Sequence, residues 1–206
     1  MCKLKGKSIV KFGVSLCILI FGFLIFAVTA QEVSAKKAVM IIAEKNFQDD
    51  ELAQPKRVLE ENNIEVTVAS TSLKEATGML GAKVKPDILV SDIDIGEFDV
   101  IVFVGGSGAT QYLDDPLAHK LAQDALSKKR IVAAICIAPV TLAKAGILKG
   151  KKVTVWPSEG GKLKDAGADY TASPVEVDGR IITASGPAAA KEFGEEIVKA
   201  LNESAE

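Results

Sequence analysis

The residue best placed to do chemistry is Cys136, within Arg130-Ile131-Val132-Ala133-Ala134-Ile135-Cys136-Ile137-Ala138-Pro139. Ile131 to Ile135 is a short apolar run, rich in β-branched residues, which predicts a strand buried on both faces. Pro139 suits a first helical turn and Gly146 the residue just past a helix end, so Pro139 to Ala145 reads as a short helix. Cys136 then sits where a buried strand turns sharply into a helix. Free backbone N–H groups and the positive end of the helix dipole point at its sulfur. That setting predicts a thiol pKa below the reference of about 8.5 and a reactive thiolate. A lone cysteine after an apolar strand is also, commonly, a small buried hydrophobe.

Two other features bear on this choice. Gly105-Gly106-Ser107-Gly108 follows a strand-like run. It lacks Walker-A spacing, and G-x-G-x-x-G fails because Ala109, Thr110 and Gln111 follow Gly108. It reads as a tight turn, or as an oxyanion site built from the N–H groups of Gly105, Gly106 and Ile137. Glu51 opens a predicted helix, where a carboxylate is ordinarily an electrostatic cap. Its functional reading is a carboxyl that exchanges a proton with Cys136. His119, the only histidine, falls mid-helix beside Lys120 and reads as a solvated surface residue, so a Cys–His dyad is not expected. One His and one domain Cys make no usual zinc set; neither a metal nor a cofactor is expected.

The elements that must position these residues follow a repeating order. Lys37 to Ala43 reads as a strand, Glu44 to Asp50 as a polar loop, Glu51 to Asn62 as a helix and Ile64 to Ala69 as a strand, which together make a βαβ unit. Thr77 to Asp94 reads as a small β excursion at a sheet edge. Asp99 to Val104 is a buried strand, Pro116 to Lys128 a helix capped by Asp114 or Asp115, and Val153 to Val155 a short strand. Pro174 to Val177 and Arg180 to Ala184 read as a hairpin around Asp178-Gly179. Ala188 to Leu201 is a terminal helix, and residues 203–206 a frayed tail. The alternation predicts an α/β fold with a mainly parallel sheet and helices on both faces. Ligands in such sheets sit at the carboxyl ends of the strands, where Glu51, the glycine loop and Cys136 should gather.

Residues 1–35 differ from the rest. Lys3, Lys5, Lys7 and Lys11 precede an uncharged run from Phe12 to Gln31 with an apolar core at residues 12–28. This reads as a targeting segment, with two outcomes open. One is a signal peptide cleaved after Ala30 or Ala35; the other is an N-terminal anchor attached to the membrane through residues 12–28. Either outcome predicts export, with the domain secreted or held at the outer face of the cytoplasmic membrane. Residues 36–202 form one domain of adequate size for a real core. A net charge of −2 with both signs interspersed argues against a nucleic-acid partner. Cys2 and Cys17 belong to the targeting segment, so the domain has no internal disulfide framework.

The ordered set Phe47-Gln48-Asp49-Asp50-Glu51-Leu52, Val104 to Ala109, Ala134 to Pro139 and Val177 to Pro187 resembles the ThiJ/PfpI family, or DJ-one superfamily, within the class I glutamine-amidotransferase-like proteins. The resemblance implies a flavodoxin-like three-layer sandwich, usually a homodimer, with a reactive cysteine on a nucleophile elbow at Cys136. It implies that Glu51 is the acid partner and that Trp156 and Pro157 border the pocket. Members of the family are described as peptidases, glyoxalases or deglycases, chaperones and oxidative-stress sensors. Peptidase-like members carry His directly after the nucleophile, where this chain has Ile137. Glyoxalase-like members carry a later His where this chain has Trp156. Peptidase activity is therefore disfavoured. Three readings stay open: a Cys136 enzyme acting on small electrophiles, a redox or stress protein in which peroxide oxidises Cys136, and a non-catalytic binding module.

Overall fold

In the computed structural model, residues 35–203 are described. The targeting segment expected at residues 1–35 falls, but for its last residue, outside the described residues, as do residues 204–206.

The chain makes strand β1 (Lys37–Ile41), the short β2 (Lys45–Phe47), helix α1 (Asp49–Glu61) and β3 (Glu65–Ser70). Three short strands follow: β4 (Ala76–Gly78), β5 (Lys83–Val84) and β6 (Ile88–Leu89). Then come β7 (Val100–Phe103), α2 (Pro116–Ser127), β8 (Ile131–Ile135) and α3 (Pro139–Lys144). The last third holds β9 (Lys152–Val153), α4 (Gly160–Asp165), β10 (Asp169–Tyr170), β11 (Val175–Asp178), β12 (Ile181–Ala184) and α5 (Ala190–Glu203). The main sheet has seven strands in the order β11-β12-β8-β7-β1-β3-β6. Every pairing in it is parallel except β11 with β12.

The three layers follow from alternation along the central strands. Strands covered on both faces need apolar side chains in both directions. Ile101 and Phe103 of β7 face the layer of α2 and α3, with Leu121, Ala125 and Leu142. Val100 and Val102 face α1 and α5, with Leu59, Phe193 and Ile197. Helix α5 comes close to α1 at Gly194, where a Cβ would lie 2.9 Å from the Pro55 Cα. This is the flavodoxin-like sandwich expected from the sequence.

Several local readings differ. The polar loop expected at Lys45–Phe47 is a strand, because it pairs with β4 in a separate three-stranded sheet, β2-β4-β5. Only Phe47 of the three is buried, so no apolar pattern announces it. The β excursion is thus mostly that second sheet, with β6 alone joining the main one. Helix α4 goes unanticipated because it opens on Gly160-Gly161, poor helix formers. Asp178 pairs with Ile181, so the hairpin turn is Gly179-Arg180, with Gly179 at φ 62°. A 3₁₀ turn at Pro187–Ala189 delays α5 to Ala190. His119 is half-buried rather than solvated, and its Nε2 donates to the Leu113 carbonyl at 2.9 Å.

The glycine loop after β7 is packed against β2. Gly108 is the tightest point: a Cβ there would meet the Lys45 carbonyl oxygen at 1.9 Å and the Ala43 Cβ at 2.8 Å. Gly108→Ala should therefore destabilise the domain by about 2–3 kcal/mol, as overpacked sites do. Gly161→Ala is the matched comparison, since nothing lies within 4 Å of a Cβ there. It should be neutral or stabilising by about 0.5–1 kcal/mol. Urea unfolding of the two variants checks the pair.

Candidate active site

Strand β8 delivers Cys136 to the carboxyl edge of the sheet, where its backbone turns left-handed at φ 63°. A non-glycine residue there costs roughly 1–2 kcal/mol, so the surroundings must hold it. They do so on both sides. The Cys136 N–H donates to the Ala184 carbonyl at 2.9 Å, and the Cys136 carbonyl accepts from the Trp156 N–H at 2.8 Å. With its backbone locked to β12 and to the segment after β9, the side chain is thrown above the sheet.

Glu51 lies in the first turn of α1 and is fully buried. It does not cap that helix. Gln48 does, its Oε1 accepting from the Glu51 N–H at 3.0 Å. The carboxyl is thereby released to point at the elbow. Neither oxygen has a hydrogen bond of full geometry, although the Cys136 thiol and the Gly105 N–H lie close enough to stabilise its charge. Gly105 makes this approach possible: a Cβ there would sit 2.4 Å from Glu51 Oε2 and 2.5 Å from the Cys136 Cβ. Gly106, at φ 96°, has the Gln48 amide and the Asn46 carbonyl pressed against the space a Cβ would occupy.

Burial drives the electrostatics. It pushes the Glu51 carboxyl up from 4.5 to about 7, with the thiol and the Gly105 N–H pulling back and Asp50 adding to the rise. Burial also pushes the Cys136 thiol up to about 12. The Glu51 charge is the next cause, and the N–H groups of Gly106 and Ile137 oppose it. The depressed thiol expected from the sequence is thus reversed. Cys136 is only 8% exposed, and burial outweighs what the turn N–H groups return. Above about pH 7 the pair holds one proton, on sulfur, and below it the carboxyl takes up a second.

A cavity of about 470 Å³ opens over the pair. Gly106, Ile137 and Trp156 line it; Pro157 does not, and Pro187 does. Gly105 serves Glu51 rather than the cavity wall. Gln48, Met79, Ser107, Thr110 and Ser158 complete the lining. Of these, Gln48 had a usable signal, a cap residue three positions before Glu51. Met79 had none, since it arrives from the second sheet. His119 is not among the lining residues. Among the described residues no cluster of three or more His, Cys, Asp or Glu could hold a metal ion.

A family model for the DJ-1/PfpI family matches residues 36–200. The chain belongs to the DJ-1/PfpI family. An uncharacterized protein of Methanocaldococcus jannaschii, MJ0967, is 43% identical, covering 82% of this chain and 84% of the relative. A protein of Pyrococcus abyssi named as a deglycase is 32% identical over 79% of this chain and 98% of its own. The crystal structure of a ThiJ/PfpI domain protein from Brachyspira murdochii superposes with a TM-score of 0.80 at 34% identity, covering 82% of this chain and 98% of that one. DJ-1/PfpI proteins are commonly dimeric.

The expectation of export needs correction. Placement at the outer face of the membrane, secreted or anchored, does not stand beside these DJ-1/PfpI relatives, whose likeness lies in the domain. Among the described residues no helix is long and apolar enough to cross a membrane.

A raised carboxyl pKa has a stability consequence of definite sign. The unfolded chain ionises Glu51 near 4.5 and the folded protein near 7. Stability from this group is therefore full below pH 4.5, falls between 4.5 and 7, and stays low above. The loss is about 3 kcal/mol. Glu51→Gln removes the titration, so the variant should be about 2–3 kcal/mol more stable than the parent at pH 8 relative to their difference at pH 4. Urea unfolding across that range measures it. A gap that opens in the opposite direction would mean that Glu51 is held ionised by a partner.

Proposed function

We propose that this protein is a cysteine-dependent enzyme acting on small carbonyl electrophiles in carbonyl-stress protection. Cys136 is its nucleophile and Glu51 its acid–base partner. The observation that carries this reading is a fully buried carboxyl with no full hydrogen-bond partner, placed against a thiol on a strained turn. A protein keeps such costly features together at functional sites. The names borne by relatives, deglycase among them, support a stress-related enzyme role in general terms.

The chemistry follows from the shared proton. Above about pH 7 Glu51 is ionised and the proton sits on sulfur. As sulfur attacks an aldehyde carbon, its proton passes to the Glu51 carboxylate, the S–C bond forms and the carbonyl π pair moves to oxygen. The N–H groups of Gly106 and Ile137, already near the sulfur, are the donors that would receive that negative charge. Glu51 then returns the proton to oxygen, giving a hemithioacetal. Glu51 works as a base because its pKa is close to the working pH.

Peptide hydrolysis asks for more. An amide leaving group must be protonated by the same group that activates the nucleophile, a task imidazole performs near neutral pH. Here Ile137 and Trp156 stand at the two places where relatives carry His, and His119 is engaged with Leu113. A second reading, redox sensing through a Cys136 sulfinate, rests on the buried Glu51 carboxyl beside the sulfur, which in its protonated form can donate its one O–H to a sulfinate oxygen.

Cys136→Ala should abolish turnover of glyoxal and methylglyoxal, and neither the parent nor the variant should cleave casein. If turnover is absent in the parent while peroxide adds two oxygens to Cys136 by mass, the redox reading replaces the enzyme. The rate of Cys136 modification by an aldehyde should climb through pH 7 as Glu51 ionises. In Glu51→Gln that step disappears, and the thiol midpoint moves below about 12 because the carboxylate charge that raised it is gone. Stopped-flow rates from pH 5 to 10 show the first effect, and thiolate absorbance at higher pH shows the second.

A further inference from the structure

This inference rests on Cys136 as the nucleophile and concerns what the cavity above it accepts. At about 470 Å³ the cavity falls within the roughly 300–1,000 Å³ that buries most of a drug-sized ligand. A three-carbon aldehyde would leave most of it to water, against apolar walls formed by Met79, Ile137, Trp156 and Pro187. Three of the polar side chains in the lining already hold a partner within the fold. Gln48 Oε1 accepts from the Glu51 N–H, the Thr110 hydroxyl donates to the Ser107 carbonyl, and the Ser158 hydroxyl donates to Glu159. No lysine or arginine lines the cavity, so no cationic side chain there selects a phosphate or a carboxylate.

Trp156 gives the cavity a flat wall. Its backbone N–H donates to the Cys136 carbonyl at 2.8 Å, which fixes the backbone that carries the indole beside the residue that bears the nucleophile. Its ring packs against Gly186 through Cε3 and Cζ3, which a Cβ there would meet at 2.9 Å, and the residue is 44% exposed. An aromatic group entering above Cys136 meets a ring held in place from behind, the arrangement in which offset stacking is effective.

We propose that the site selects uncharged carbonyl electrophiles bearing a flat apolar group of about phenyl size, an aryl aldehyde or aryl 2-oxoaldehyde, stacked on Trp156 with the aldehyde carbon at Cys136. The step is an addition with no leaving group. The S–H bond breaks, the S–C bond forms, the carbonyl π pair goes to oxygen, and the proton reaches that oxygen through Glu51. No oxidant or reductant is consumed.

Binding and chemistry are tested separately. In full-length Cys136→Ala no adduct can form there, and Trp156, the only tryptophan of the chain, reports occupancy by its fluorescence. Acetophenone should bind at least tenfold more tightly than acetone. In the parent, the rate of adduct formation on the Cys136 peptide, read by mass, should be at least tenfold higher with phenylglyoxal than with methylglyoxal. Counting only that peptide removes the known reaction of 2-oxoaldehydes with guanidinium groups. Trp156→Ala should reduce the ratio to within threefold of unity, and Trp156→Phe should retain most of it. Equal binding of acetophenone and acetone, or a ratio unchanged in Trp156→Ala, overturns the selectivity while leaving Cys136 as the nucleophile. Absence of any Cys136 adduct with acetophenone still bound overturns Cys136 as the nucleophile and upholds the binding preference.

Discussion

The left-handed backbone at Cys136 is the constraint on which the rest of the site depends. A cysteine adopts φ 63° only if neighbouring hydrogen bonds outweigh the cost. Here both of its backbone groups are committed, one to Ala184 of β12 and one to Trp156. Those two bonds bring together segments remote in sequence, and each carries a part of the pocket with it. Trp156 forms a wall, and Gly186, two residues past Ala184, supports it. The same turn clears the space into which Glu51 projects from α1. Remove the elbow and the carboxyl loses its neighbour, the indole its anchor and the cavity its floor.

Much of this was legible in the sequence because strong periodic signals set it. The buried strands at Val100–Phe103 and Ile131–Ile135 announce themselves as continuous apolar runs, and Pro139 marks the helix that follows the nucleophile. Cys136 and Glu51 could be named because each stands at a predicted element boundary near the carboxyl edge. What stayed hidden is what periodicity does not encode. The strand at Lys45–Phe47 exists only through its pairing with Ala76–Gly78. Met79 reaches the cavity by the same route, and no local pattern places it there.

The thiol is the instructive failure. Helix position alone argued for a depressed pKa, and a long, solvent-exposed helix start would have supplied one. Near-complete burial decides otherwise, and the buried carboxylate beside the sulfur adds to the rise. Under the proposed function, reactivity comes from Glu51 acting as a base and not from a standing thiolate. That distinction separates a nucleophile made on demand from one that is always exposed to adventitious alkylation.

The bond from the Cys136 amide to Ala184 also sets an order of events in biosynthesis. Strand β8 is completed long before its neighbour β12 is translated, and the parallel pairing between them is a long-range closure of the kind that forms slowly. Until the carboxyl-terminal third emerges and β12 docks, the elbow has no partner on that side. The nascent chain then carries an unshielded thiol and an unpaired β8 edge, both hazards in a partly folded protein. Docking of the final hairpin, and of α5 through its buried Phe193, is therefore what covers the thiol and the β8 edge.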